Sequence, residues 1–197
     1  DVFVIPVRPA RPAPLAFSWA PGPVANSVFT PEEMAKIKFP IKVYPAEQFA
    51  DTDPTRRVQK VLDVCFPGWV TSENAPDMNP GYREQLDRSY NVLVTHPPKK
   101  GEPVILSKTV KIPEGDPRLT VRVANAPNGD FRLIVKVDGE LALETDVGGK
   151  TSEFRTFVIG LSSYRGKTVK VELLNQPTGW SNEAASWAEI AVRGNNN

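Results

Sequence analysis

The residues whose types best suit binding chemistry lie in one loop near the end of the chain. A tryptophan, Trp180, stands there among three amides and one acid, and the set is Asn175, Gln176, Trp180, Asn182 and Glu183. A sugar site needs an aromatic surface for the C–H face of the ring and a few polar groups for the hydroxyls. The loop is therefore a candidate glycan site. The same residues also suit a structural role, in which Trp180 caps one end of a sheet structure and the amides satisfy loop backbone groups.

Catalytic chemistry has little support in the sequence. The chain has one histidine, His96, and one cysteine, Cys65. No motif supplies a nucleophile or an orienting acid for a histidine base, and no nucleophile elbow, phosphate loop or haem-attachment motif is found. A single cysteine excludes an internal disulfide. One cysteine and one histidine are also too few ligands for the usual Cys/His zinc sites. We predict no enzyme activity, a structural role for His96 and a role for Cys65 as a small buried hydrophobic residue.

Four carboxylates are the candidate ligands of a structural calcium ion, namely Asp130, Asp138, Glu153 and Glu189. None of them stands in the dense Asp/Asn/Gly spacing of a calcium loop. We therefore predict solvated turn carboxylates and no cofactor, with calcium as the alternative.

Composition limits the classes of protein that the chain can be. Apolar residues make up 40% of the 197 residues, which is enough for a folded core. The net charge of +1 argues against a dedicated nucleic-acid binder. No apolar run approaches the roughly 20 residues that span a bilayer. The chain begins at Asp1, as expected of a mature protein after signal cleavage or of a fragment.

From residue 91 to residue 194 the pattern indicates an all-β domain. Apolar residues alternate with polar ones in short runs, and Asp138-Gly139 is a strong hairpin turn. Val169, Val171 and Leu173 share one face of a strand, and we expect Gly148-Gly149 to end another. Trp187 is out of register with the apolar residues that follow it, which predicts an outward side chain or a bulge, with core packing favoured.

Residues 1–54 differ from this domain. They contain half of the 20 prolines, which favours an extended polyproline conformation. Apolar side chains in this arm favour a strap that lies along a surface of the same domain or of a partner, and the candidate docking residues are Phe3, Ile5, Leu15, Phe17 and Trp19. Thr30-Pro31 predicts a short helix that Pro40 ends, and Ile41–Tyr44 predicts a brief strand.

Residues 55–90 form a predicted helix-and-loop lead-in that packs on the sandwich. Asp53-Pro54 starts a helix in which Val58, Val61 and Leu62 share a face. Residues 82–88 are predicted to form one helical turn.

Several motifs carry a resemblance to a known family. They are Asn91–Pro97 (NVLVTHP), Leu106–Lys108 (LSK), Asn128–Phe131 (NGDF), Lys136–Gly139 (KVDG), Leu161–Lys167 (LSSYRGK), Leu173–Trp180 (LLNQPTGW) and Ala185–Ile190 (ASWAEI). In order and spacing they resemble the galactose-binding-like, carbohydrate-binding-module-type jelly-roll domains of secreted planctomycete-type bacterial proteins, over about residues 75–193. The resemblance implies a jelly-roll β-sandwich and glycan binding. Phe131 departs from the tryptophan usual there, which matters only if that ring lies on a sugar-binding surface.

Two functions follow as hypotheses. The first is a non-catalytic, periplasmic or secreted accessory subunit, which docks through its sandwich and proline-rich arm onto a larger assembly. A membrane-bound electron-transfer or photosynthetic complex is one such assembly, and membrane association would come through the partners. The second is a carbohydrate-binding module that uses the Asn175–Glu183 loop. The arm favours the first hypothesis and the family resemblance the second.

Overall fold

The structure is a computed structural model that describes residues 2–5 and 42–195. In this part of the chain a 12-residue helix, α1 (Pro54–Cys65), accompanies two β-sheets, and short 3-10 helices lie at Ala46–Phe49 and Ser162–Tyr164. The strands are β1 (Val2–Ile5), β2 (Val70–Thr71), β3 (Gly81–Leu86), β4 (Ser89–Thr95), β5 (Val104–Lys111), β6 (Asp116–Asn125), β7 (Gly129–Val137), β8 (Glu140–Gly149), β9 (Arg155–Gly160), β10 (Thr168–Gln176) and β11 (Ala185–Asn195).

The order of the strands identifies the fold. One sheet has the order β1-β9-β6-β11-β4-β3 and the other has the order β2-β5-β10-β7-β8. The eight strands from β4 to β11 are thus divided between two antiparallel four-stranded sets. The first of these strands, β4, lies beside the last, β11, and the second, β5, lies beside the second-last, β10. This is the arrangement of a jelly roll, in which two Greek keys place eight strands in two packed sheets. The predicted jelly-roll β-sandwich is confirmed.

The core forms where the inner faces of both sheets meet. Along β7 the side chains of Phe131, Leu133, Val135 and Val137 are buried, while the residues between them are more exposed. This is the period of two that the sequence predicts. The Phe131 ring packs in the core with its centroid 6.3 Å from that of Trp187. The phenylalanine at this position, where the resembled family usually has tryptophan, therefore affects core packing.

Helix α1 begins where the sequence predicts. Asp53 is its N-cap, and Asp53 Oδ1 accepts hydrogen bonds from the amides of Thr55 at 2.8 Å and Arg56 at 3.2 Å. Pro54 occupies the first turn, where its missing amide hydrogen costs nothing. The apolar face, made of Val58, Val61 and Leu62, is fully buried against the sandwich core.

Three local predictions are wrong. Residues 82–88 form no helical turn, because β3 pairs with β4 and Asp87, at φ 52°, closes a tight hairpin between them. Strand β8 is not broken after Val147, since Gly148 and Gly149 are its last two residues and pair with Asp130 and Gly129. Val43 and Tyr44 lie outside any strand. In the first two cases cross-strand pairing decides the conformation, and single-residue preferences do not.

The beginning of the chain adds an edge strand to the larger sheet. The backbone of Val2–Ile5 pairs in parallel with β9, in register from Val2 opposite Thr156 to Ile5 opposite Ile159. This part of the predicted arm follows a surface of its own domain. The predicted helix after Thr30 and the predicted docking residues Leu15, Phe17 and Trp19 lie outside the described residues.

A cleft at one end of the sandwich

The candidate site is an open cleft of about 650 Å³ at one end of the sandwich. Three chain segments form it: the start of β7, the end of β8, and the loop that joins β10 to β11. Its walls consist of Asn128, Gly129, Asp130, Gly148, Gly149, Lys150, Thr178, Gly179, Trp180, Ser181 and Glu183. The volume lies within the range of small-molecule sites, about 300–1,000 Å³.

A buried carboxylate holds the loop that carries Trp180. Glu183 is 1% exposed, and its Oε1 accepts a hydrogen bond from the Gly179 amide at 2.8 Å while its Oε2 accepts one from the Thr178 amide at 3.0 Å. Charge-assisted bonds to backbone amides are among the stronger hydrogen bonds in proteins. The carboxylate therefore fixes the backbone immediately before the tryptophan.

The floor of the cleft depends on glycine. A Cβ atom on Gly129 would lie 2.0 Å from the carbonyl oxygen of Asn182, and one on Gly148 would lie 2.5 Å from Asp130 Cβ. Only glycine permits such close approach of the two segments. Asn125 adds a polar anchor beneath them, since its Nδ2 donates to the carbonyls of Ala126 at 2.7 Å, Gly129 at 3.0 Å and Gly149 at 3.0 Å.

Trp180 is the large aromatic side chain at the mouth of the cleft. It is 44% exposed, whereas Trp187 and Trp69 are buried. The imidazole of His96 lies 5.6 Å from the Trp180 ring at 65°, an edge-on contact. One side of the indole is thus supported by the protein, and the exposed part of the ring is available to a ligand.

His96 itself is buried and has a polar atom, Nδ1, without a hydrogen-bond partner in residues 2–5 or 42–195. Burial lowers the pKa of the imidazole below its ordinary value of 6.5, although Asp77 and Glu183 act in the opposite direction. His96 supports the tryptophan as a neutral ring.

The polar side chains of the cleft carry both signs of charge. Asp130 Oδ1 accepts a hydrogen bond from Thr178 Oγ1 at 2.7 Å. Lys150 is exposed at the end of β8, and its ammonium group has no ion-pair partner in the described part of the chain. Carboxylates accept hydrogen bonds and ammonium groups donate them, so the cleft offers both partners to a hydroxyl-bearing ligand.

The structure separates the five predicted loop residues. Trp180 and Glu183 line the cleft, but Asn175 is buried in the sandwich, where its Nδ2 donates to Thr95. The amide nitrogen of Gln176 donates to the carbonyl of Gly101, and that of Asn182 donates to the carbonyl of Pro127.

Sequence reasoning did not name Asn128, Thr178 or Lys150 as site residues, although Thr178 lies within the predicted Asn175–Glu183 loop. They come from three distant segments, and only the jelly-roll topology brings them together. The glycine pair Gly148-Gly149 was the available signal, because glycine in a strand marks close backbone approach.

The four candidate calcium ligands are dispersed. Asp130 and Asp138 lie at opposite ends of β7, roughly 26 Å apart along a strand that rises about 3.3 Å per residue. Asp138 Oδ1 accepts a hydrogen bond from the Lys170 amide, and Glu153 Oε1 accepts one from Thr151. Glu189 pairs with Arg193. Within the described residues no three His, Cys, Asp or Glu side chains form a group suited to a metal ion.

Two further sequence-based expectations concern Cys65 and the membrane. Cys65 is half-buried, and burial raises the pKa of its thiol to about 11, which disfavours the reactive thiolate.

None of the helices that the structure describes combines the length and apolar character of a membrane span.

Comparison with known proteins gives distant structural likenesses. No family model and no curated protein matches the sequence. A cleaved adhesin domain of Lys-gingipain from Porphyromonas gingivalis is 14% identical with a TM-score of 0.48, covering 66% of this chain and 92% of its own. The module TmCBM61, solved with β-1,4-galactotriose, is 12% identical with a TM-score of 0.47, covering 66% and 90%. The C-terminal domain of the sugar-binding protein EclA is 15% identical with a TM-score of 0.44, covering 62% and 89%. The fold assignment rests on the strand order of the chain itself.

Proposed function

We propose that this chain is a non-catalytic glycan-binding module and that its ligand occupies the cleft beside Trp180. The observation that carries the proposal is the 44% exposure of this indole at the mouth of a polar cleft. A tryptophan that only capped the sandwich would gain stability by burying its ring. Here the loop is held by Glu183 in a conformation that leaves much of the ring in solvent.

The polar groups support a sugar as the ligand class. Asp130 and Lys150 offer an acceptor and a donor in the same cleft, which suits the hydroxyl groups of a sugar ring. The indole suits the C–H face of the same ring. The cleft is open, so a sugar unit within a longer chain would fit as well as a terminal one.

The alternative is the accessory-subunit hypothesis, which depends on docking by the proline-rich arm. Its backbone at Val2–Ile5 pairs with β9 of the same chain, so this segment already has a binding surface. No contact of the described residues favours a protein partner over a glycan. We therefore place the glycan-binding hypothesis first, with an extracytoplasmic location as part of the proposal.

The test is binding to a panel of soluble polysaccharides by affinity electrophoresis, followed by titration of any ligand found. Trp180→Ala should lower the association constant by roughly tenfold or more, because truncating a tryptophan that anchors a ligand costs on the order of 2 kcal/mol. Tyr90→Ala is a matched control, since Tyr90 is 40% exposed at the far end of β4. It should leave binding unchanged.

Two results would contradict the proposal. If the intact chain binds no polysaccharide in a broad panel, the glycan-binding function fails. If a polysaccharide binds and Trp180→Ala is as good a binder as the intact chain, the function stands and the cleft is the wrong site.

A further inference from the structure

A second groove, of about 220 Å³, lies between the 3-10 helix at Ala46–Phe49, helix α1 and the start of β3. Two arginines line it, Arg57 from α1 and Arg83 from β3, and both are half-buried. None of its lining residues belongs to the cleft beside Trp180.

Neither arginine has a carboxylate partner among the residues that the structure describes. Arg57 Nε donates to the carbonyl of Pro80 at 2.6 Å. Arg83 donates from Nη1 to the carbonyl of Tyr82 at 2.9 Å and from Nη2 to the carbonyl of Asn79 at 2.7 Å. A guanidinium has five N–H donors, so most of the donors of this pair have no acceptor in the described residues.

The acid in the groove does not neutralise them. Asp51 also lines the groove, but its carboxylate pairs with Arg56 at 3.3 Å and with Lys60 at 3.1 Å, and it accepts a hydrogen bond from the Asp53 amide. Among the residues that the structure describes, the two arginines therefore remain an uncompensated pair of like charges. Burial, and secondarily the charge of Arg57, lowers the pKa of Arg83.

Gly81 leaves room for one arginine of the pair. The side chain of Arg57 crosses directly over this glycine, where a Cβ atom would lie 2.8 Å from Arg57 Cγ. Gly81 also adopts a φ of 131°, which side-chain-bearing residues rarely adopt. The absence of a side chain at this position thus allows Arg57 to enter the groove that Arg83 also lines.

We propose that the groove binds one oxyanion, a carboxylate, sulfate or phosphate group, through the unused donors of Arg57 and Arg83. The planar fork of a guanidinium matches the oxygens of these groups and favours two parallel hydrogen bonds. An anion between the two guanidiniums compensates the repulsion between them. The groove has room for one such group, either as a free ion or attached to a larger molecule.

The test is an NMR titration of the arginine Nε–Hε signals with sodium sulfate and sodium phosphate, at ionic strength held constant with chloride. Arg57→Gln and Arg83→Gln should each lower the association constant roughly tenfold, since a hydrogen bond to a charged group contributes about 1.5–3 kcal/mol. Arg165→Gln is the matched control. It removes the same charge from an exposed arginine in the turn after Ser162–Tyr164, which contributes no residue to the groove, and should bind as the intact chain does.

A second arm separates the two sources of the anion. The same proteins are titrated with dextran sulfate and with unmodified dextran. Stronger binding of dextran sulfate than of inorganic sulfate, lost in the two groove variants, assigns the groove to a group carried on a polymer. Equal binding per sulfate assigns it to the free ion.

Arg57→Lys and Arg83→Lys are milder variants that are less prone to misfold, because they keep the positive charge and remove only the planar fork of N–H donors. Folding of every variant is checked by circular dichroism, and the lysine variants are expected to bind with intermediate affinity. The proposal is overturned if the intact chain binds neither anion. It is also overturned if Arg165→Gln weakens binding as much as the groove variants do, since general surface attraction would then explain the result.

Discussion

The indole Nε1 of Trp187 donates a hydrogen bond to Thr95 Oγ1 at 3.0 Å, between residues 92 positions apart in the chain. Asn175 Nδ2 donates to the same hydroxyl oxygen at 3.3 Å. All three residues are fully buried. Because Thr95 and Trp187 belong to one sheet and Asn175 to the other, this hydroxyl joins the two layers of the sandwich close to the residues that support Trp180.

Thr95→Val is therefore expected to destabilise the fold although it preserves the shape of the side chain. It leaves the indole N–H and one amide N–H buried without this acceptor, at a cost of about 1–3 kcal/mol for each group left unsatisfied. Thr95→Ser keeps the oxygen and should cost less. Urea unfolding followed by circular dichroism measures the difference. Equal stability of the two variants would contradict this account of the hydroxyl.

Gly129→Ala is expected to destabilise the chain and distort the cleft. The new methyl group would collide with the backbone carbonyl of Asn182, which cannot move without moving the loop that carries Trp180. Overpacking of this kind costs about 1–3 kcal/mol.

Gly160→Ala is the control for this substitution, because a Cβ atom there meets nothing within 4 Å in the described residues. Its effect should stay within about 0.5 kcal/mol. Thermal unfolding of both variants measures the difference, and a tolerant Gly129→Ala variant would show that the loop is not held against β7.

The sandwich could be predicted from the sequence because strand alternation is local. Phe131 to Val137 and Val169 to Leu173 show the period of two directly, and Asp138-Gly139 marks its hairpin. The position of Trp187 out of phase with Ile190 left an outward side chain or a bulge as alternatives, and the structure has the bulge, with Trp187 buried. These features depend on neighbours in sequence.

The site could be predicted only in part, because it depends on contacts between distant segments. Asn175 is of a residue type that often binds ligands, yet its position in the strand directs its side chain into the sandwich, where it contacts Thr95. Lys150 follows a glycine pair that signals close backbone approach but names no partner for it, and the topology places Lys150 and Trp180 in the same cleft. Side-chain direction in a strand follows from register, and register here is set by pairing across the whole domain.

Glu183→Ala should release the loop that carries Trp180. The substitution removes the acceptor of the Thr178 and Gly179 amides, so those two amides are expected to exchange with deuterium much faster. The loss of two charge-assisted bonds should lower the free energy of unfolding by about 2 kcal/mol or more. Glu183→Gln keeps one acceptor oxygen and should be intermediate.

The control for Glu183 is Glu140→Ala, which removes an exposed glutamate from the β7–β8 hairpin. It should leave amide exchange in the 178–183 loop unchanged. Unaltered protection of Gly179 in the Glu183→Ala variant would contradict the role assigned to this carboxylate.

Acid should destabilise the chain partly through His96. Because burial lowers the pKa of its imidazole in the folded state below the ordinary 6.5, the unfolded chain binds a proton first as the pH falls. This contribution to stability is complete above pH 6.5 and is lost as the pH drops toward the folded-state pKa.

His96 is the one histidine in the chain, so its ring protons can be titrated by NMR without ambiguity. Urea unfolding of the intact chain and of His96→Asn between pH 5 and pH 7.5 isolates the effect, since carboxylate titrations are common to both. The intact chain should lose more stability than the variant over this range, and parallel pH profiles would show that the imidazole titrates alike in both states.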